Sequence, residues 1–153
     1  MANPFPFSSG AVLTAAQLNG IGEWTSFTPT FNNVSLGASG TVAGKYAQVN
    51  DLVFWQASFD LNGTGSVSGH INMNLPVGTC PVSITYPTSA TGWVQPVGST
   101  IYQIMGTPAA GVIWFYGNRA DTAYSQIASL VAAVPVTWDA NGEFYATGWY
   151  ELA

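Results

Sequence analysis

Charge is what this sequence has least of. Only Lys45 and Arg119 are basic, seven residues are acidic, and ionisable side chains make up 6% of the 153 residues, for a formal net charge of -5. A soluble globular protein carries about 25%. Two cations cannot neutralise a run of phosphates, which argues against a nucleic-acid partner, and the same shortage argues against an anionic membrane surface. Cysteine is nearly missing as well: Cys80 stands alone, so neither an internal disulfide framework nor a cysteine-based metal cluster can form. His70 is the single histidine, and a zinc site would have to be built mostly from carboxylates. Long apolar runs are absent too. The stretch from Ile71 to Asn118 is uncharged but broken repeatedly by Gly, Pro, Thr and Ser, unlike a membrane-spanning helix. The opening Met-Ala-Asn-Pro-Phe-Pro-Phe has no positive n-region and no apolar h-region, so no secretory signal is expected.

What remains is ample core material. Hydrophobic residues make up 48% of the chain, with six Trp, seven Tyr and eight Phe, which excludes a disordered polypeptide and fits one folded domain. With so few charges, the surface must be made largely of Thr, Ser, Asn, Gln and Gly. From Trp24 onward the apolar period is two, and turn residues recur at short intervals, so the fold class expected is all-β: an antiparallel β-sandwich or a jelly-roll-like domain. The clearest strand is Val67 to Leu75. Val53 to Leu61 alternates in the same way, and the intervening Asn62-Gly63-Thr64-Gly65 suggests that the two form a hairpin. Further strands are expected near Thr25–Phe31, Thr41–Val49, Ser83–Tyr86, Thr91–Val97, Ile101–Met105, Gly111–Tyr116, Val134–Trp138 and Phe144–Leu152. Turns are expected at Leu36–Gly40, Gly106–Pro108 and Asp139–Gly142. The segment Ala123 to Ala133 suits a helical turn or a bulged strand.

Residues 1–22 read differently from the β domain of 23–153. Pro4 and Pro6 alternate with Phe5 and Phe7, which stiffens the chain into an extended arm. A short helix follows: Thr14 and Gln17 make a capping box, Ala15 and Ala16 favour helix, and Asn19-Gly20 stops it. Phe5, Phe7, Leu13, Leu18 and Ile21 are many apolar side chains for a free tail, and the prolines keep them out of a central strand, so their natural partner is another chain or subunit, against the competing role of a cap folded back on the chain's own sandwich.

The chemistry available to such a chain is thin. A serine triad would need His70, no Gly-x-Ser-x-Gly elbow occurs, and the acids are scattered one per segment rather than paired for glycoside hydrolysis. The glycines lack the Lys and helix pattern of a phosphate loop. No catalytic residue, metal ligand or cofactor is therefore expected, and His70, falling on the polar side of its strand, reads as a solvated or hydrogen-bonded surface histidine. Aromatics are the remaining means of recognition, because a Trp or Tyr on a β surface offers an apolar face and a polar handle to a sugar ring. Trp93, Trp149 and Tyr150 are placed for such contact, against the competing roles of core or subunit packing.

The stretch Pro4-Phe5-Pro6-Phe7-Ser8-Ser9-Gly10-Ala11-Val12-Leu13-Thr14-Ala15-Ala16-Gln17-Leu18-Asn19 resembles the leader that opens many bacteriophage tail-fibre, minor tail and other virion proteins. Trp24 to Phe31, Gly40-Thr41-Val42 with Lys45-Tyr46, Val67 to Val77, and the terminal Gly148-Trp149-Tyr150-Glu151-Leu152 are similar to the small β modules that follow such leaders. The resemblance implies a non-enzymatic structural protein of the virion, commonly a homotrimer. In that reading Phe5, Phe7, Leu13, Leu18 and Ile21 attach it to other virion proteins of capsid or tail, and the β module projects outward. A tail fibre or minor tail protein and a capsid decoration or head fibre protein are both compatible with it. A lectin-like module that recognises a host-surface glycan is the alternative.

Overall fold

The computed structural model describes residues 21–80, 90–96, 98–109, 111–119, 126–135 and 137–153. The alternation read in the sequence becomes ten strands among them: β1 (Thr25–Phe27), β2 (Phe31–Ser35), β3 (Thr41–Val49), β4 (Leu52–Asp60), β5 (Ser66–Asn74), β6 (Ala90–Gln95), β7 (Tyr102–Ala109), β8 (Val112–Arg119), β9 (Gln126–Ser129) and β10 (Glu143–Glu151). No described residue is helical, and no helix among them is long and apolar enough to cross a membrane. The helix expected around Thr14–Gln17, the strand expected at Ser83–Tyr86, and Phe5, Phe7, Leu13 and Leu18 lie outside the described residues.

The fold is all-β and antiparallel, as the period of two implied. One sheet runs β1-β3-β4-β10-β6-β7-β8-β5-β2, with β9 added beside β8. It curls, because Phe31 of the terminal strand β2 meets Phe59 of β4 at 4.9 Å and Phe144 of β10 at 5.2 Å, both edge-on. Phe59 and Phe144 stack at 4.9 Å and 7°, and Phe115 of β8 packs edge-on against Phe144 at 4.8 Å. Every second residue of β4 (Val53, Trp55, Ala57, Phe59) faces this interior and is buried, while Phe54, Gln56, Ser58 and Asp60 face out. Burial of each such large side chain contributes about 1.5–3 kcal/mol, and each aromatic pair about 0.5–1.5 kcal/mol more.

Three local expectations give way. β4 and β5 are consecutive but do not pair: β4 lies between β3 and β10, and β5 between β2 and β8. Asn62-Gly63-Thr64-Gly65 does turn, closed by the Gly65 N–H on the Asn62 carbonyl, but it is also tied to Leu36 through the Asn62 N–H, and Leu61 donates to Gly142. The chain therefore crosses the interior instead of folding back, and both apolar faces enter the same core. Gly106-Thr107-Pro108 lies inside β7, not in a turn. Pro108 is tolerated because the β6 ladder ends at Gly106, leaving β8 as the partner there among the described residues. Val134–Trp138 forms no strand among its described residues, only a bridge between Val131 and Val134, whereas Gln126–Ser129 of the ambiguous segment is the strand β9.

The bend Leu36–Gly40 and the turn at Asp139–Gly142 are where they were expected, the latter held by the Asp139 carboxylate accepting from the Asn141 N–H at 2.8 Å. Gly44 of β3 sits under Phe27 and Pro29, where a Cβ would lie 2.7 Å from the Phe27 ring. The ring thereby covers a strand glycine, and it meets Tyr46 edge-on at 6.0 Å.

Candidate functional site

With the even-numbered residues of β4 turned outward, strand register decides which side chains meet on the outer face. Lys45 of β3, Gln56 of β4 and Thr147 of β10 form one row, and Ser26 of β1 lies opposite Lys45. Ala43, Ser58 and Tyr145 form the next, continued by Trp93 of β6. Ala43 and Ser58 are small, and the surface sinks between the longer side chains around them into a groove of about 220 Å³ lined by Ser26, Lys45, Gln56 and Tyr145. A cation–π contact and an aromatic stack fix its flanks. The Lys45 ammonium lies 4.9 Å from the centre of the Trp24 ring, and Tyr145 stacks on Trp93 at 6.2 Å and 24°.

Trp93 is thus outward and half-buried, and Trp149 is 45% exposed on the same face. They do not form one site, because Trp93 stands opposite Tyr145, four residues along β10 from Trp149, which instead faces the 40% exposed Phe54. Tyr150 is no glycan contact. Alternation along β10 turns it inward, where it is 2% exposed and its hydroxyl both donates to the Val77 carbonyl at 2.7 Å and accepts the Val77 N–H at 3.2 Å. Burial pushes its phenol up to about 12, against the Val77 hydrogen bond, which pulls it down. Ile21, expected to attach the chain to a partner, is 38% exposed at the start of the described residues.

His70 has a structural place. β5 and β8 part beyond the Asn72 and Trp114 pair, and Leu130 enters the gap, donating to the Phe115 carbonyl and accepting from the Ile71 N–H. His70 Nε2 lies 2.7 Å from that same carbonyl, so it must carry the proton, and the ring packs between Trp114 and Tyr116. Beside it Asn32 donates to Asn72 at 2.6 Å and Asn33, the bulged residue of β2, donates to the His70 carbonyl at 2.8 Å. These amides and the imidazole seal a seam in the sheet. Among the described residues no group of three His, Cys, Asp or Glu is placed to hold a metal ion.

Sequence reasoning missed Trp24, Lys45, Gln56, Ser58 and Tyr145 as neighbours. The scarcity of cations marked Lys45, and alternation put Tyr145 on the same side of its strand as Trp149. β3 and β4 form a hairpin across Asn50-Asp51, but no local signal joins them to β10, which is brought in by long-range register. Comparison of the chain with protein-family models, with curated proteins and with solved structures gives no match.

Proposed function

We propose that this chain is a non-enzymatic structural protein of a bacteriophage particle, attached through residues 1–22 to another virion protein and displaying its β domain on the particle surface. The observation that carries this reading is the outer surface itself. Trp24, Phe54, Ile101, Ile127 and Trp149 are large apolar side chains exposed on a domain with hardly any charge, which fits a surface covered by neighbouring subunits. The leader-like stretch from Pro4 to Asn19 supports the attachment, and Ile21 continues its apolar side chains up to the sheet. Three copies closed about an axis would cover the exposed apolar groups symmetrically. Packing supports a sandwich-like reading of the curled sheet, with β4 and β10 facing β2 and β8 across the aromatic core. Mass spectrometry of purified particles, comparing the full chain with a chain lacking residues 1–22, tests the assignment. The full chain is expected in the particle and the shortened chain is not; equal incorporation of both overturns the role of the arm, and absence of both overturns the virion reading.

A second reading, recognition of a host-surface glycan, is favoured by one observation: Trp93 is outward and holds Tyr145 at the side of the groove.

A further inference from the structure

We propose that the groove between Lys45 and Tyr145 is a subsite for one sugar residue bearing a carboxylate, a uronic acid or a sugar of like charge. The inference rests on the glycan reading and goes further in naming the residues and the charge of the ligand.

Size limits the occupant first. At about 220 Å³ the groove is smaller than the roughly 300–1,000 Å³ of sites for drug-sized ligands, so it takes one ring rather than an extended chain. Its floor spans Ala43, Ser58 and Tyr145 on three neighbouring strands, about 10 Å at the usual strand spacing.

Next comes the wall. Trp93 and the groove lie on opposite sides of β10, so the stack leaves one face of Tyr145 against the indole and turns the other toward the groove. A ring already held loses little freedom when a ligand stacks on it, and the C–H face of a pyranose suits such a surface. Gln56, Ser26 and Ser58 add an amide and two hydroxyls, groups that both donate and accept, as ring hydroxyls require.

Charge then selects among sugars. Lys45 is one of two basic residues in a chain of net charge -5, and it lines this groove. The indole of Trp24 orients its ammonium without neutralising it, leaving the charge to pair with an anion. The outward acids nearest the groove on β4 and β10, Asp60 and Glu143, stand opposite each other two residues beyond Ser58 and Tyr145, on the side away from Lys45 and Gln56, and Asp60 accepts a hydrogen bond from the Thr41 hydroxyl at 2.8 Å. A carboxylate on the sugar is the group that would use Lys45, while the ring lies over Ser58 against Tyr145.

Titration of the isotope-labelled full chain with methyl β-D-glucuronide, methyl β-D-glucoside and acetate, followed by amide chemical shifts, tests the proposal. The glucuronide is expected to move the amides of residues 43–45, 56–58 and 145, and Lys45→Met to weaken it about tenfold, to the level of the glucoside. Ala43→Phe fills the groove while removing none of its polar groups, and is expected to abolish binding without lowering the melting temperature. Trp149→Ala is expected to leave binding unchanged. Equal affinity for glucuronide and glucoside overturns the acidic-sugar assignment and leaves the glycan reading standing. Acetate binding as well as the glucuronide reduces the site to an ion contact and overturns the proposal. If no sugar shifts these amides, both the proposal and the glycan reading fail.

Discussion

Phe144 is stacked on Phe59 and met edge-on by Phe31 and Phe115, so aromatic side chains of three other strands converge on one ring. Phe144→Ala leaves a cavity where all of them converge and is expected to cost about 3–5 kcal/mol, measured by urea unfolding. Tyr150 makes a different prediction, one that depends on pH. The phenol ionises near 10 in an unfolded chain and near 12 in the folded one, so the stability it confers is complete below pH 10 and is lost as pH rises toward 12. The loss amounts to about 2–3 kcal/mol. Tyr150→Phe strands the Val77 N–H and carbonyl at about 1–3 kcal/mol near neutral pH. Unfolding midpoints compared between pH 8 and 12 should therefore converge for the two proteins as alkali removes the advantage of the native residue; parallel curves would show that Tyr150 does not titrate as described.

Strands were legible wherever alternation was strong, and pairing was not. Thr41–Val49 matches β3 residue for residue, and Val67–Leu75 matches β5 within one. The expected strand Thr25–Phe31 is interrupted near Pro29 and supplies β1 and the start of β2. Short sequence separation made β4 and β5 look like a hairpin, yet both carry an apolar face too large to be covered by pairing side by side, and packing across the interior covers both. Alternation likewise distinguishes Tyr150 from Trp149 only after one end of β10 is known to face inward, which is why neighbouring aromatics were grouped as one kind of contact. The groove was invisible because Tyr145 is distant in sequence from the β3–β4 hairpin that supplies most of the other lining and meets it only on the sheet. Where β6 crosses β10, Gly92 is set so close that a Cβ would strike the Tyr145 carbonyl and lie 2.7 Å from the Ala146 Cα. Gly92→Ala must push β6 off its neighbour, and a loss of about 1–3 kcal/mol is expected. At Gly63, where a Cβ meets nothing within 4 Å, the same change brings only the strain of a positive φ and should cost less. Thermal midpoints of the two variants check the order.

At the scale of the molecule, a uniformly uncharged exterior is a weak guard against association, and exposed Phe54, Trp149, Ile101 and Ile127 add apolar area to it. On the proposed virion reading, whose resemblance to phage proteins and not the composition supplies the three-fold closure, the purified chain is expected to form a closed trimer, and a stable 16 kDa species in sedimentation equilibrium at micromolar concentration would count against it. The position of β10 has a consequence of another kind. It is the last of the described strands in chain order, yet it lies between β4 and β6 and is the only ladder joining those two parts of the sheet among the described residues. On the ribosome the strands up to β9 emerge before it, and until residues 143–151 follow, β4 and β6 present open edges that invite the wrong partner. Assembly of the sheet thereby waits for β10: until it is made the nascent chain holds two incomplete portions, and one nine-residue insertion turns them into a single sheet. Nascent chains arrested before and after that segment has left the exit tunnel should differ sharply in resistance to protease, with protection gained in one step.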